Sequence, residues 1–201
     1  MKKFIGYLGL TAVLAALSLP AAAQTEPDAT AELLDAEGNR VGTVEFTSVE
    51  DGVQIRTLVE GFDAAVTGDQ RGQHGLHIHE TGECTAPDFS SAGGHFNPTD
   101  ADHGLLDPDG PHAGDLPNIW IEADGSADYT VTTNLITLEE GDGQRPAQED
   151  DGQRPVQEGD RSLFDSDGSA IIIHSGADDY ITDPSGDSGD RLACGVIEPN
   201  Q

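Results

Sequence analysis

Between His74 and Asp115 the chain carries six of its seven histidines, interrupted by glycine, proline and aspartate. The run opens His74-Gly-Leu-His77-Ile-His79, passes Cys84 and Gly93-Gly94-His95, and ends with His103, His112 and Asp115. In a strand, side chains alternate faces, so His77 and His79 point the same way and can grip one ion. Imidazole suits copper and zinc, and a carboxylate such as Asp115 completes a tetrahedral zinc set. A lone His-x-His is usually incidental, but a cluster spaced by turn-forming loops, with the seventh histidine far downstream, is not. Any fold for this chain must therefore present a strand to loops that converge on it.

The rest of the chain supplies such strands. Apolar residues recur with period two in Ala31–Leu34, Val41–Thr47, Val53–Val59, Gln73–His79, Asn118–Glu122, Ala127–Thr133 and Leu192–Ile197, and Ala170–His174 reads as a short, strongly β-branched strand. Turn residues separate them: 35–39 joins the first two, and Asp124-Gly125 makes a hairpin of the fifth and sixth. Residues 24–29 read as a loose acidic terminus. Eight short strands without an amphipathic helix predict an all-β fold, an antiparallel sandwich or flattened barrel.

The start of the chain reads as an address. Met1-Lys2-Lys3 precedes an apolar run from Phe4 to Leu19 and then Pro20-Ala-Ala-Ala23, the pattern of a secretory signal peptide spanning residues 1–23. The apolar run is short for a bilayer span and none follows it, so no membrane anchor is expected. Residues 24–201 then form one domain's worth of chain. Losing Lys2 and Lys3 leaves seven arginines against 38 acids, a formal charge of −31. That charge argues against nucleic acid, heparin or anionic membranes as partners. Cys84 and Cys194, the two cysteines of an exported chain, read as one disulfide. Residues 142–150 and 151–159 form a tandem repeat, Asp-Gly-Gln-Arg-Pro-x-Gln-Glu-x, whose composition predicts a solvated loop insertion at about 140–160.

Several stretches together resemble the copper–zinc superoxide dismutase family, in its exported bacterial form. They are Gly75-Leu-His-Ile-His-Glu80, Ser91-Ala-Gly-Gly-His-Phe-Asn-Pro98, His112-Ala-Gly-Asp-Leu116, Asp167-Gly-Ser-Ala-Ile-Ile-Ile-His174, Ala177-Asp-Asp179 and Gly189-Asp-Arg-Leu-Ala-Cys-Gly-Val-Ile197. The resemblance implies an eight-stranded antiparallel Greek-key barrel with long metal-binding and electrostatic loops. It implies one copper per chain on His77, His79, His95 and His174, and one zinc on His95, His103, His112 and Asp115. His95 would bridge the two, and Asp178 would hydrogen-bond a ligand of each metal. Arg191 would bind the incoming anion, with His95 and Arg191 the catalytic pair. Cys84 and Cys194 match the family disulfide. His74 matches no ligand and reads as a structural or surface histidine, and Leu76 departs from the aromatic residue frequent at that position.

The implied activity is dismutation of superoxide to dioxygen and hydrogen peroxide by alternating reduction and reoxidation of copper, protecting against superoxide outside the cytoplasm. His95 would release copper and take up a proton between the half-reactions. Zinc alone has no redox chemistry, so the imidazole-rich copper set must carry the electron. Three alternatives are weaker. A redox-silent metal binder is opposed by the complete ligand set, and a zinc hydrolase by the closed zinc set. A purely structural acidic domain leaves the histidines unexplained. The chain would act in the periplasm or be secreted, as a monomer or a homodimer.

Overall fold

The structure is a computed structural model that describes residues 26–62, 72–140 and 161–200. The signal segment and the tandem repeat lie outside the described residues.

The chain forms β1 (Ala29–Asp35), β2 (Arg40–Val49), β3 (Gly52–Val59), β4 (Gly72–His79), β5 (Asp115–Ile121), β6 (Ala127–Thr133), β7 (Thr137–Glu140), β8 (Ser162–Phe164), β9 (Ala170–His174), β10 (Arg191–Val196) and β11 (Glu198–Pro199). A 3-10 turn, Ser90–Ala92, lies in the connection from β4 to β5. The main sheet runs β5-β4-β9-β10-β1-β2-β3-β6, antiparallel throughout, and its two ends come back against each other. After the β1–β2–β3 meander the chain crosses to β4 and β5 before β6 returns to pair with β3. This is an eight-stranded, nearly closed Greek-key barrel.

Alternation places the core. Leu33, Val44, Phe46, Ile55, Leu76, Ile78, Ile119, Ile171 and Ile173 come from six different strands into one apolar cluster. Each fully buried aliphatic or aromatic side chain of this kind stabilises the fold by about 1.5–3 kcal/mol. A second, smaller cluster of Phe89, Ala92, Ala170, Ile172 and Cys194 lies outside the barrel wall. There the disulfide Cys84–Cys194 ties the connection after β4 to β10, with Cα atoms 5.7 Å apart.

Three local expectations change. The terminus is not loose from Asp28 onward: Asp28 N donates to Phe46 O at 2.8 Å, and its carboxylate accepts Ser48 N at 2.6 Å. The expected hairpin of the fifth and sixth strands closes its turn, with Glu122 N donating to Ser126 O at 2.8 Å, but not its ladder. Pro117, which has no N–H to offer, lies on that seam and accepts the Tyr129 hydroxyl at 3.4 Å. Finally, β7 and β8 form a parallel pair flanking the repeat, where Ile136 and Leu163 are buried. Neither was legible, because each strand is too short to show a period.

Candidate metal centre

Two long connections, β4 to β5 and β9 to β10, cover the same stretch of barrel wall. Leu76 and Ile78 fill the core, so the alternate His77 and His79 face outward beneath those connections and are buried there too. Across β4, Phe96 N donates to Ile78 O at 2.8 Å and Gly114 N to Phe96 O at 2.8 Å. These bonds register His95 and the His112–Asp115 turn onto β4. His174 ends β9, where Ile171 and Ile173 point inward, and its register partner on β10 is Arg191.

The donor atoms fall into two sets that share His95. In the first, His77 Nε2–H donates to Asp178 Oδ2 at 2.8 Å, His79 Nδ1–H to Gly93 O at 3.1 Å and His174 Nδ1–H to Gly189 O at 3.3 Å. Their other nitrogens converge: His79 Nε2 and His174 Nε2 are 3.4 Å apart, with His77 Nδ1 and His95 Nε2 beside them. In the second, Asp115 Oδ1 lies 2.7 Å from His95 Nδ1, 3.1 Å from His103 Nδ1 and 3.3 Å from His112 Nδ1. His95 Nδ1 and His112 Nδ1 are 3.3 Å apart. Four ligands around a tetrahedral zinc, each at about 2.0–2.1 Å, stand roughly 3.3 Å from one another, so this set has the size of a zinc site.

The buried nitrogens also ask for an ion. His77 Nδ1, His95 Nε2 and His103 Nδ1 are buried and make no hydrogen bond. Each such orphaned group costs about 1–3 kcal/mol unless something occupies it. The other atoms are already engaged: Asp115 Oδ2 accepts Gly104 N at 2.9 Å and His112 N at 3.0 Å, which leaves Oδ1 for the set. Asp178 spans the two sets, its Oδ1 accepting His103 Nε2–H at 3.1 Å. Gly186 packs against this carboxylate, where a Cβ would overlap Asp178 Oδ1 and crowd His103 Nε2.

Burial keeps His79, His95 and His174 neutral, the form that binds metal. It lowers the pKa of His79 well below the ordinary value, that of His95 to about 4 and that of His174 to about 3, helped by neighbouring imidazoles. His103 differs: burial lowers its pKa, but the Asp115 and Asp178 carboxylates raise it to about 9. Burial works against ionised Asp115 and Asp178, yet their histidine and backbone donors hold both carboxyls well below the usual range.

Arg191 is half-buried at the edge of the first set. Its Nη1 donates to Phe89 O and its Nη2 to Gly93 O, both at 2.6 Å. Gly93 O therefore serves both the guanidinium and His79. Both partners are neutral carbonyls; burial lowers the guanidinium pKa, and the Asp88 carboxylate lies near enough to work against that lowering. His74 belongs to neither set; it is buried, and its Nδ1–H donates to the His174 carbonyl at 2.8 Å. The residues expected at each metal thus come together in two groups, and Asp178 lies between them. Sequence reasoning missed Asn118, whose side chain brackets the Asp178 backbone at 2.8 and 2.9 Å, because nothing local links positions 60 residues apart.

Residues 40–197 match the family described as Copper/zinc superoxide dismutase (SODC). The chain is 39% identical over 197 residues to Superoxide dismutase [Cu-Zn] 2 of Aquifex aeolicus, covering 98% of this chain and 99% of that one. It is 41% identical over 171 residues to Superoxide dismutase [Cu-Zn] of Caulobacter vibrioides, covering 85% of each. Among solved structures, a double mutant of a superoxide dismutase-like protein from Bacillus subtilis superposes with a TM-score of 0.69 at 39% identity. That match covers 83% of this chain and 95% of the other.

Proposed function

The chain belongs to the copper/zinc superoxide dismutase family, and on that premise we propose that it dismutes superoxide with one copper and one zinc per chain. His77 Nδ1, His79 Nε2, His95 Nε2 and His174 Nε2 would hold the copper. His95 Nδ1, His103 Nδ1, His112 Nδ1 and Asp115 Oδ1 would hold the zinc. The observation that carries this reading is His95, whose two nitrogens face the two sets from opposite edges of one ring.

Bound copper supplies the one-electron couple that two successive superoxide anions need. The protein's own residues do the rest. Arg191, fixed by two carbonyls, draws in the anion and sets it beside His79 and His95. His95 Nε2 is the atom placed to carry a proton toward the nascent peroxide, because its Nδ1 is committed to the Asp115 set. Asp178 holds the rings of His77 and His103 in the tautomers that turn their Nδ1 atoms to the metals. The hydrolase alternative is disfavoured because the Asp115 set is closed by four protein ligands, with no position left for water.

Export is part of the proposal. The Cys84–Cys194 disulfide supports an oxidising compartment, and a mature chain beginning at Gln24 is expected there. Among the described residues no helix is long and apolar enough to cross a membrane. The test is a metal analysis of the purified mature protein paired with a superoxide-consumption assay. One copper and one zinc with rapid consumption support the reading; zinc in both sets, with no copper taken up and no turnover, would sink it.

A further inference from the structure

β4 and β5 lose register at one place. His74 pairs with Ile119 but Leu76 pairs with Leu116, so Gly75 faces two residues, Pro117 and Asn118. Such a bulge frees backbone groups from the ladder. Here the β9–β10 connection takes them up. Gly75 N donates to Gly176 O at 2.8 Å, and Asn118 N donates to the Tyr180 hydroxyl at 2.8 Å. The Asn118 side chain then behaves as one more rung: Oδ1 accepts Asp178 N at 2.8 Å and Nδ2 donates to Asp178 O at 2.9 Å.

Tyr180 closes the arrangement. Its backbone N donates to Asp178 Oδ1 at 2.6 Å and its carbonyl accepts Leu106 N, from the other long connection, at 3.1 Å. It does so at φ 66, a left-handed conformation uncommon outside glycine. A residue stays there only when its surroundings over-determine it, and three of its polar groups are engaged on three different segments. Asp178 is thus gripped through its main chain by Asn118 and through its carboxylate by Tyr180, before either histidine is counted.

We propose that Asn118 and Tyr180 are positioning residues of the metal centre, docking the β9–β10 connection into the β4–β5 bulge so that Asp178 stands between the two sets. This rests on the metal reading above. Neither residue touches a ligand atom; both act through Asp178 on His77 and His103.

The test measures zinc release from the loaded full-length mature protein to a chelator, and the visible spectrum of cobalt(II) in the Asp115 set. Asn118→Ala removes both side-chain bonds, Asn118→Asp keeps the acceptor and loses the donor, and Tyr180→Phe removes one oxygen. Asn118→Ala should release zinc measurably faster, by less than the about 10–100-fold expected for losing Asp178, the direct partner of the histidines. The other two should shift release in the same direction by less, with altered cobalt bands. Ile55→Val, in the barrel core, lowers the thermal midpoint and should leave release and bands unchanged. Native release rates and spectra in Asn118→Ala and Tyr180→Phe overturn the proposal. So does equally accelerated release in Ile55→Val, which would make the effect one of general stability. Should Asn118→Ala not fold, Tyr180→Phe decides alone. If the native protein takes neither zinc nor cobalt, the metal reading itself falls and this inference with it.

Discussion

The wall made of β1, β2, β3 and β6 and the wall made of β5, β4, β9 and β10 are built from the same kind of strand, yet they are held differently. On the first, alternation is simple: Leu33, Val44, Phe46 and Ile55 go in, while outward positions carry exposed ion pairs such as Arg56–Asp128 and Arg40–Glu60. Exposed pairs of this type contribute little to stability. On the second, much of the outer face is buried as well, and it packs histidines and aspartates beside a smaller apolar cluster of Ala170, Ile172 and Cys194. The first wall stabilises itself by excluding water. The second adds, on its outer face, a buried polar layer in which His77 Nδ1 and His95 Nε2 make no hydrogen bond.

The contrast can be broken by separating stability from metal affinity. Phe46→Ala, fully buried on the first wall, should lower unfolding free energy by about 3–5 kcal/mol and leave zinc affinity of the folded protein unchanged. Denaturant titration of metal-free protein, beside chelator competition, would check both; a parallel fall in affinity would mean the walls are not separable. Arg191→Glu does the reverse. Fold and metal content should persist, while the superoxide rate falls by about 10–10³-fold, the range that local steering supplies. The native rate should decline with added salt and the variant's rise, because the remaining field of the acidic chain then opposes the anion. A native rate and salt profile in the copper-loaded variant would remove Arg191 from the mechanism.

Asp178→Asn comes next in size. Zinc affinity should drop by about 10–100-fold with metal-free stability nearly unchanged, read by chelator competition and thermal unfolding. Unchanged affinity would deny Asp178 its place between the sets. The smallest effect belongs to the β1–β2 turn, where Asp35 accepts Glu37 N at 3.0 Å, Asn39 N at 2.8 Å and Asn39 Nδ2 at 3.0 Å. Burial raises its pKa, but these donors outweigh that and hold it below the ordinary value. Its contribution is therefore present above the unfolded carboxyl value of about 3.9 and lost as pH falls through the lower folded value. Asp35→Ala should cost about 1 kcal/mol at neutral pH, and the difference from the native protein should vanish in acid. A pH-independent difference would point to packing instead.

Legibility in the sequence follows the same division. The first wall could be read from period two alone, because one face of each strand is wet. His77 and His79 were readable for the same reason, being two apart in a strand. His174 and Asp178 were not: they reach the centre through β9 and its neighbours, and only the resemblance to a known family named them in advance. Asn118 and Tyr180 left no trace, since a bulge is a mismatch between two strands and neither strand records it alone. The parallel β7–β8 pair was hidden by the repeat between them.

The order of the barrel also sets an order in time. β10 lies between β1 and β9, and Cys194 is joined to Cys84 across 110 residues. A chain is made from its N-terminus, so His77, His79, His95, His103, His112 and Asp115 all exist before His174 and Arg191 do. The Asp115 set has all its residues in a chain that stops short of β9; the set that includes His174 does not. A chain ending there would hold three of the four imidazoles of that set and lack the Arg191 guanidinium beside it.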